Sequence, residues 1–149
     1  MGKHVLVVDD EEPMRSLLSR ALSRAGFFVT TVPDATEALA LLKNDASAPV
    51  PFDVLLADFN LPSITGLDLV DALRCDGVEL PCLLMSGSPN GMLASEALSR
   101  GCKGFIKKPF GLPVLIEHIR EALVLVPPER DSMKHGRPEP PVDCARTVV

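Results

Sequence analysis

Four short apolar runs, each stopping at a polar side chain, constrain this chain more than any other feature. Val5-Leu6-Val7-Val8 stops at Asp9-Asp10, Val54-Leu55-Leu56-Ala57 at Asp58, Cys82-Leu83-Leu84-Met85 at Ser86, and Gly104-Phe105-Ile106 at Lys107-Lys108-Pro109. Uninterrupted aliphatic runs of this length mark strands covered on both faces, which is the condition of a parallel sheet flanked by helices. Parallel strands need crossovers, and the stretches between the runs are long enough to supply them as helices. In such a sheet the strand ends share one edge, so the polar stops are brought together there.

The intervening segments carry helical periodicity. Met14, Leu17, Leu18, Ala21, Leu22 and Ala25 fall at helical spacing, with Pro13 in the first turn and Gly26 at the terminating left-handed position. Phe27 to Val32 is a shorter, more polar strand, and Asp34 with Glu37 forms a capping pair ahead of Ala38, Leu39, Leu41 and Leu42. Asn44 to Pro51 supplies loop residues; further helices are expected around Leu67 to Leu73 and from Met92 to Arg100, closed by Gly101. Leu115, Ile116, Ile119, Leu123 and Val126 give the last helix an apolar stripe. Five βα units imply a doubly wound α/β fold with two helices on one face of the sheet and three on the other. They occupy residues 1–126, and the proline-rich segment 127–149, poor in apolar side chains, is expected to be a disordered tail.

A net charge of -5 argues against direct DNA binding, because nucleic-acid footprints need clustered Lys and Arg. Cys75, Cys82, Cys102 and Cys144 have neither metal-ligand spacing nor a secretory leader ahead of them, so they are expected to be reduced thiols in a cytoplasmic protein. The apolar segments are too short to cross a bilayer, and no membrane association is expected.

An adjacent acid pair such as Asp9-Asp10, followed by Glu11 and Glu12, can serve simply to begin a helix. Asp58 changes the balance, because a carboxylate ending a buried strand is costly to desolvate without a compensating cation. Oxygen ligands from two or three carboxylates suit Mg²⁺, and no His or Cys cluster exists for zinc. With the metal keeping the acids ionised, an aspartate beside it becomes a plausible phosphoryl acceptor. Lys108 follows a strand and precedes Pro109, which fixes a turn able to hold the ammonium toward the crevice, especially through a cis bond. The Ser86 hydroxyl could donate to a phosphoryl oxygen, and Phe105 reads equally well as a core aromatic or as a mobile one.

These motifs together, Val-Leu-Val-Val-Asp9-Asp10-Glu, Asp58-Phe-Asn60-Leu-Pro62 with Gly66, Met-Ser86-Gly, and Gly-Phe105-Ile-Lys-Lys108-Pro109-Phe, resemble the receiver domain of bacterial two-component response regulators over about Lys3 to Val126. The resemblance implies a flavodoxin-like five-stranded parallel sheet in the order 2-1-3-4-5. It implies Asp58 as phosphoacceptor, and Mg²⁺ (or Mn²⁺) held by Asp10, Asp58 and the backbone carbonyl of Asn60, with Asp9 acting through water. Lys108 and Ser86 would engage the phosphoryl group, and Phe105 would follow Ser86 inward, altering the face made by the fourth helix, fifth strand and fifth helix.

Implied partners are a sensor histidine kinase or histidine phosphotransfer protein and an unidentified downstream protein, the chain itself being a monomer or weak dimer and no turnover enzyme. With no helix-turn-helix pattern after Val126, output through protein binding or phosphate relay is expected. Two positions depart from the family pattern: Gly87 where alanine is usual, and Leu61 where methionine is frequent before the motif proline. Alternatives are a haloacid-dehalogenase-like phosphatase, which expects an Asp-x-Asp arrangement at the first strand, and the receiver of a hybrid histidine kinase, which the Met85-Ser86-Gly87-Ser88 loop resembles.

Overall fold

The structure, a computed structural model, describes residues 2–42, 51–87 and 91–124, with side chains at 91–93 left out. The loop assigned to Asn44–Pro51 thus falls almost entirely outside the described residues, as do Ser88, Val126 and the segment 127–149. Five strands, β1 (His4–Val8), β2 (Phe28–Val32), β3 (Val54–Asp58), β4 (Cys82–Ser86) and β5 (Gly104–Lys107), alternate with helices α1 (Glu12–Arg24), α2 (Ala35–Leu41), α3 (Gly66–Cys75), α4 (Gly91–Ser99) and α5 (Leu112–Val124). The sheet is wholly parallel in the order β2-β1-β3-β4-β5, a flavodoxin-like arrangement.

Side-chain alternation along the strands divides the core in two. Val5, Val7, Val54, Leu56, Leu83, Met85 and Ile106 face α1 and α5, where Leu18, Leu22, Leu115, Ile119 and Ala122 cover them. Leu6, Val8, Leu55, Ala57, Cys82 and Leu84 face α2, α3 and α4, meeting Ala35, Ala38, Leu69, Val70, Leu73 and Ala97. Two helices therefore cover one face and three the other, as the pattern required. Strands β1, β3 and β4 are buried almost throughout, whereas β2 lies at the sheet edge and leaves Phe28 63% exposed.

Local signals account for most boundaries. Pro13 sits in the first turn of α1, and Gly26 adopts φ +101 after it. Asp34 caps α2 by accepting from the Glu37 N–H at 2.9 Å. Strand β2 begins at Phe28, one residue later than the sequence suggests, because the Phe27 N–H closes the end of α1 on the Leu22 carbonyl at 3.1 Å. Helix α3 starts with a reciprocal box the sequence reading missed: Thr65 accepts from the Asp68 N–H, and Asp68 accepts from the Thr65 N–H. The usual signature carries Glu or Gln at that position, and the shorter Asp68 closes the box at 3.3 Å.

Cys82 and Cys102 are buried free thiols, and burial above all pushes the Cys102 thiol up to about 11 and Cys82 further still. Among the described residues, no helix is long and apolar enough to cross a membrane.

The two-sided core sets one prediction. Leu56, fully buried between β3 and the α1/α5 layer, should cost about 2–5 kcal/mol when replaced by Ala. Leu17, 46% exposed on α1, should cost no more than about 0.5 kcal/mol. Urea unfolding followed by circular dichroism measures both, since the chain has no Trp or Tyr for fluorescence.

Candidate functional site

The C-terminal ends of β1, β3 and β4 and the turn after β5 bring the polar stops of the sequence into one crevice. One carboxylate oxygen from each of Asp9, Asp10 and Asp58 lies within 4.8 Å of the other two. Lys108 Nζ donates to Asp58 Oδ2 at 3.0 Å and to Asp9 Oδ2 at 3.5 Å. The Lys108-Pro109 bond is cis, and the Lys108 N–H donates to the Ser86 carbonyl at 2.7 Å, which seats the turn beside β4.

Burial differs among the acids. Asp9 is fully buried and Asp58 is 5% exposed, while Asp10 is open to solvent. Asp9 Oδ1 accepts from the Glu11 N–H at 2.9 Å, so the start of α1 supplies a donor to the buried carboxylate. Asp58 Oδ1 accepts from the Asn60 N–H at 3.1 Å, folding the loop after β3 back over the strand end. Ser86 is fully buried at the end of β4. Phe105, opposite Leu84 in the sheet register, is half-buried against the α2/α3/α4 side of the core.

Electrostatics follow from this packing. Burial raises the pKa of Asp9; the Glu11 N–H and the Lys108 charge offset that only partly, and the Asp58 charge adds to it. Burial alone would lower Lys108, but the hydrogen bond and charge of Asp58, then the charge of Asp9, overcome it and leave its pKa raised. The ammonium is therefore cationic throughout the neutral range, and its stabilising contribution disappears only as pH rises through that elevated value.

Three carboxylates against one ammonium leave two negative charges in the crevice, with no thiolate or imidazole in the set. Hard oxygen donors in this number suit Mg²⁺ or Mn²⁺, which keep several waters, and do not suit a structural zinc. The donor set fits the ion that the sequence implies.

Asp9, Asp10, Asp58 and Lys108, each named from sequence, are thus neighbours in space, and Ser86 and Asn60 border them. Two contributors escaped the sequence reading. Arg15 Nη1 donates to the Asp9 carbonyl at 2.7 Å, a bond between a helix and a strand end with no local signature. Gly66, noted only as part of a motif, donates its N–H to the Phe59 carbonyl at 2.7 Å, and a Cβ on it would lie 2.4 Å from the Asp58 carbonyl oxygen.

Residues 5–120 match the family model described as response regulator receiver domain. Over 128 residues the chain is 32% identical to the response regulator MprA of Mycobacterium avium, covering 86% of this chain and 54% of that protein. Among solved structures, the chemotaxis response regulator CheY4 of Vibrio cholerae is 30% identical with a TM-score of 0.73, covering 83% of this chain and 100% of the other. Full-length FixJ from B. japonicum is 31% identical with a TM-score of 0.76, covering 87% of this chain and 62% of the other. The chain belongs to the receiver domain family of two-component response regulators. It spans about half the length of the curated relatives it matches. The family assignment sets aside the haloacid-dehalogenase-like alternative, in keeping with the adjacent rather than alternating acids on β1.

Two predictions follow from the packing around the acids. Because burial raises the folded pKa of Asp9, ionised Asp9 weakens the metal-free fold as pH climbs above the ordinary carboxylate range. Asp9→Asn should therefore raise the melting temperature in EDTA at about pH 7, by about 4 °C for each kcal/mol recovered. The gain should shrink as the pH is lowered toward about 4, because the raised pKa of Asp9 favours proton uptake by the native side chain. Thermal scans at both pH values check this, and equal melting temperatures at pH 7 would contradict it. Gly66→Ala should destabilise by about 1–3 kcal/mol, since the added methyl meets backbone that cannot swing aside; urea unfolding measures it.

Proposed function

We propose that Asp58 accepts a phosphoryl group from a phosphohistidine on a sensor histidine kinase or histidine phosphotransfer protein. The observation that carries this reading is the Asp58 carboxylate at the end of β3, with Lys108 Nζ 3.0 Å from Oδ2 and oxygens of Asp9 and Asp10 within 4.8 Å. An Asp58 oxygen attacks phosphorus, the P–N bond breaks, and the departing imidazole nitrogen takes up a proton, leaving an acyl phosphate.

Asp10, Asp58 and the Asn60 backbone carbonyl would hold Mg²⁺ directly, and Asp9 through water. Bound there, the ion supplies positive charge for the phosphoryl oxygens. Lys108, already directed at Asp58, transfers its ammonium contact to a phosphoryl oxygen as the new group adds negative charge. Ser86 donates its hydroxyl to another. By strand alternation Ser86 shares a face of the sheet with Phe105, so movement of the serine frees volume into which the ring turns. The surface of α4, β5 and α5 then changes its affinity for a downstream protein.

In this reading residues 1–126 form the receiver, with 127–149 outside it. The domain acts in the cytoplasm, as a monomer or weak dimer, and turns over no external substrate. Acidic net charge disfavours direct DNA contact by the receiver itself.

Incubation with acetyl phosphate and Mg²⁺ should add one base-labile phosphoryl group per chain. Asp58→Asn and chelation by EDTA should each abolish it, as scored by intact-mass spectrometry. Equal labelling of the Asp58→Asn protein would remove Asp58 from the role.

A further inference from the structure

All four polar groups of Asp9 are engaged. Its N–H donates to the Val32 carbonyl at 3.1 Å, Oδ1 accepts from Glu11, Oδ2 faces Lys108, and its carbonyl accepts from Arg15 Nη1 at 2.7 Å. That last carbonyl belongs to the planar peptide unit joining Asp9 to Asp10. Fixing its oxygen fixes the rotation of the plane from which Asp10 hangs. Asp10 is exposed, and among the described residues no side-chain hydrogen bond or ion pair holds its carboxylate, yet an oxygen of it stands within 4.8 Å of Asp9 and Asp58.

We infer that Arg15 is a positioning residue for the divalent cation: through the Asp9 carbonyl it aims the Asp10 carboxylate into the crevice, without itself touching the ion. The geometry suits the task. Arg15 lies in the first turns of α1, and its rigid guanidinium is held six residues from its acceptor by a helix packed on the sheet through Leu18 and Leu22. Outer partners of this kind commonly set metal affinity by about 10–100-fold. The inference rests on the reading of the acid cluster as a Mg²⁺ site.

A competing role for Arg15 predicts the opposite sign. If Arg15 were only a neighbouring cation, removing it would make the crevice more negative and tighten Mg²⁺ binding. If it positions Asp10, removing it weakens binding despite that electrostatic gain. Arg20, which borders the same open groove along α1 and makes no hydrogen bond among the described residues, serves as the charge control.

Calorimetric titration with Mg²⁺ should show Arg15→Met binding about 10-fold more weakly than the native chain. Arg20→Met should bind equally or slightly more tightly, and Arg15→Lys, which keeps the charge but not the fork, should still bind several-fold more weakly. Melting temperatures in EDTA separate this from loss of fold: Arg15→Lys should stay within about 2 °C of native. Native-like or tighter binding by both Arg15 variants overturns the positioning role and leaves the site intact. Failure of the native chain to bind Mg²⁺ overturns the site reading and this inference with it.

Discussion

Two negative charges left over after Lys108 has bonded to Asp58 and Asp9 are the condition on which the crevice turns. A fold selected for stability alone would not bury Asp9 completely beside another carboxylate, because desolvation and like-charge repulsion both work against it. In the proposed function the arrangement is a place held ready for positive charge and then for a phosphoryl group. Lys108 supplies one cation permanently, with a pKa raised by the very carboxylates it serves. In the proposed function the remainder is left for a divalent ion, whose oxygen preference matches the donors present.

The sheet holds this imbalance in place by hydrogen bonding at its edge. Asp9 N–H reaches across to β2, Phe59 N–H to the Met85 carbonyl at the end of β4, and Lys108 N–H to the Ser86 carbonyl, so neighbouring strand ends are tied sideways. Gly66 lets α3 begin close against the Asp58 backbone. Sites built on strands and helix starts keep their geometry better than sites on free loops. On the far side of the sheet Asp71 and Arg100 form an ion pair at 2.6 Å between α3 and the turn after α4, and Arg74 donates to the Arg100 carbonyl. Asp71 is raised by burial despite that partner, so part of the pair's attraction offsets desolvation.

Much of the fold was legible because its signals are local and repeated. Buried runs identify β1, β3 and β4, Asp34 identifies the start of α2, and Gly26 and Gly101 adopt the positive φ that helix ends require. The layer assignment follows once the strands alternate: Val5 and Val7 must oppose Leu6 and Val8. Less legible were the Thr65–Asp68 box, whose shorter acid falls outside the familiar signature, and the first residue of β2, where Phe27 closes α1 instead of opening the strand.

By itself the sequence determined which polar residues end parallel strands and so meet at one edge of the sheet, because hydrophobic run length and polar stops are encoded residue by residue. Tertiary structure alone decided that Lys108 bonds two carboxylates at once, that Asp9 is buried while Asp10 is open, and that Arg15 grips the carbonyl between them. Those outcomes depend on how strands and helices meet across as many as 99 residues of chain, and pairings at such separations leave no periodic trace along it.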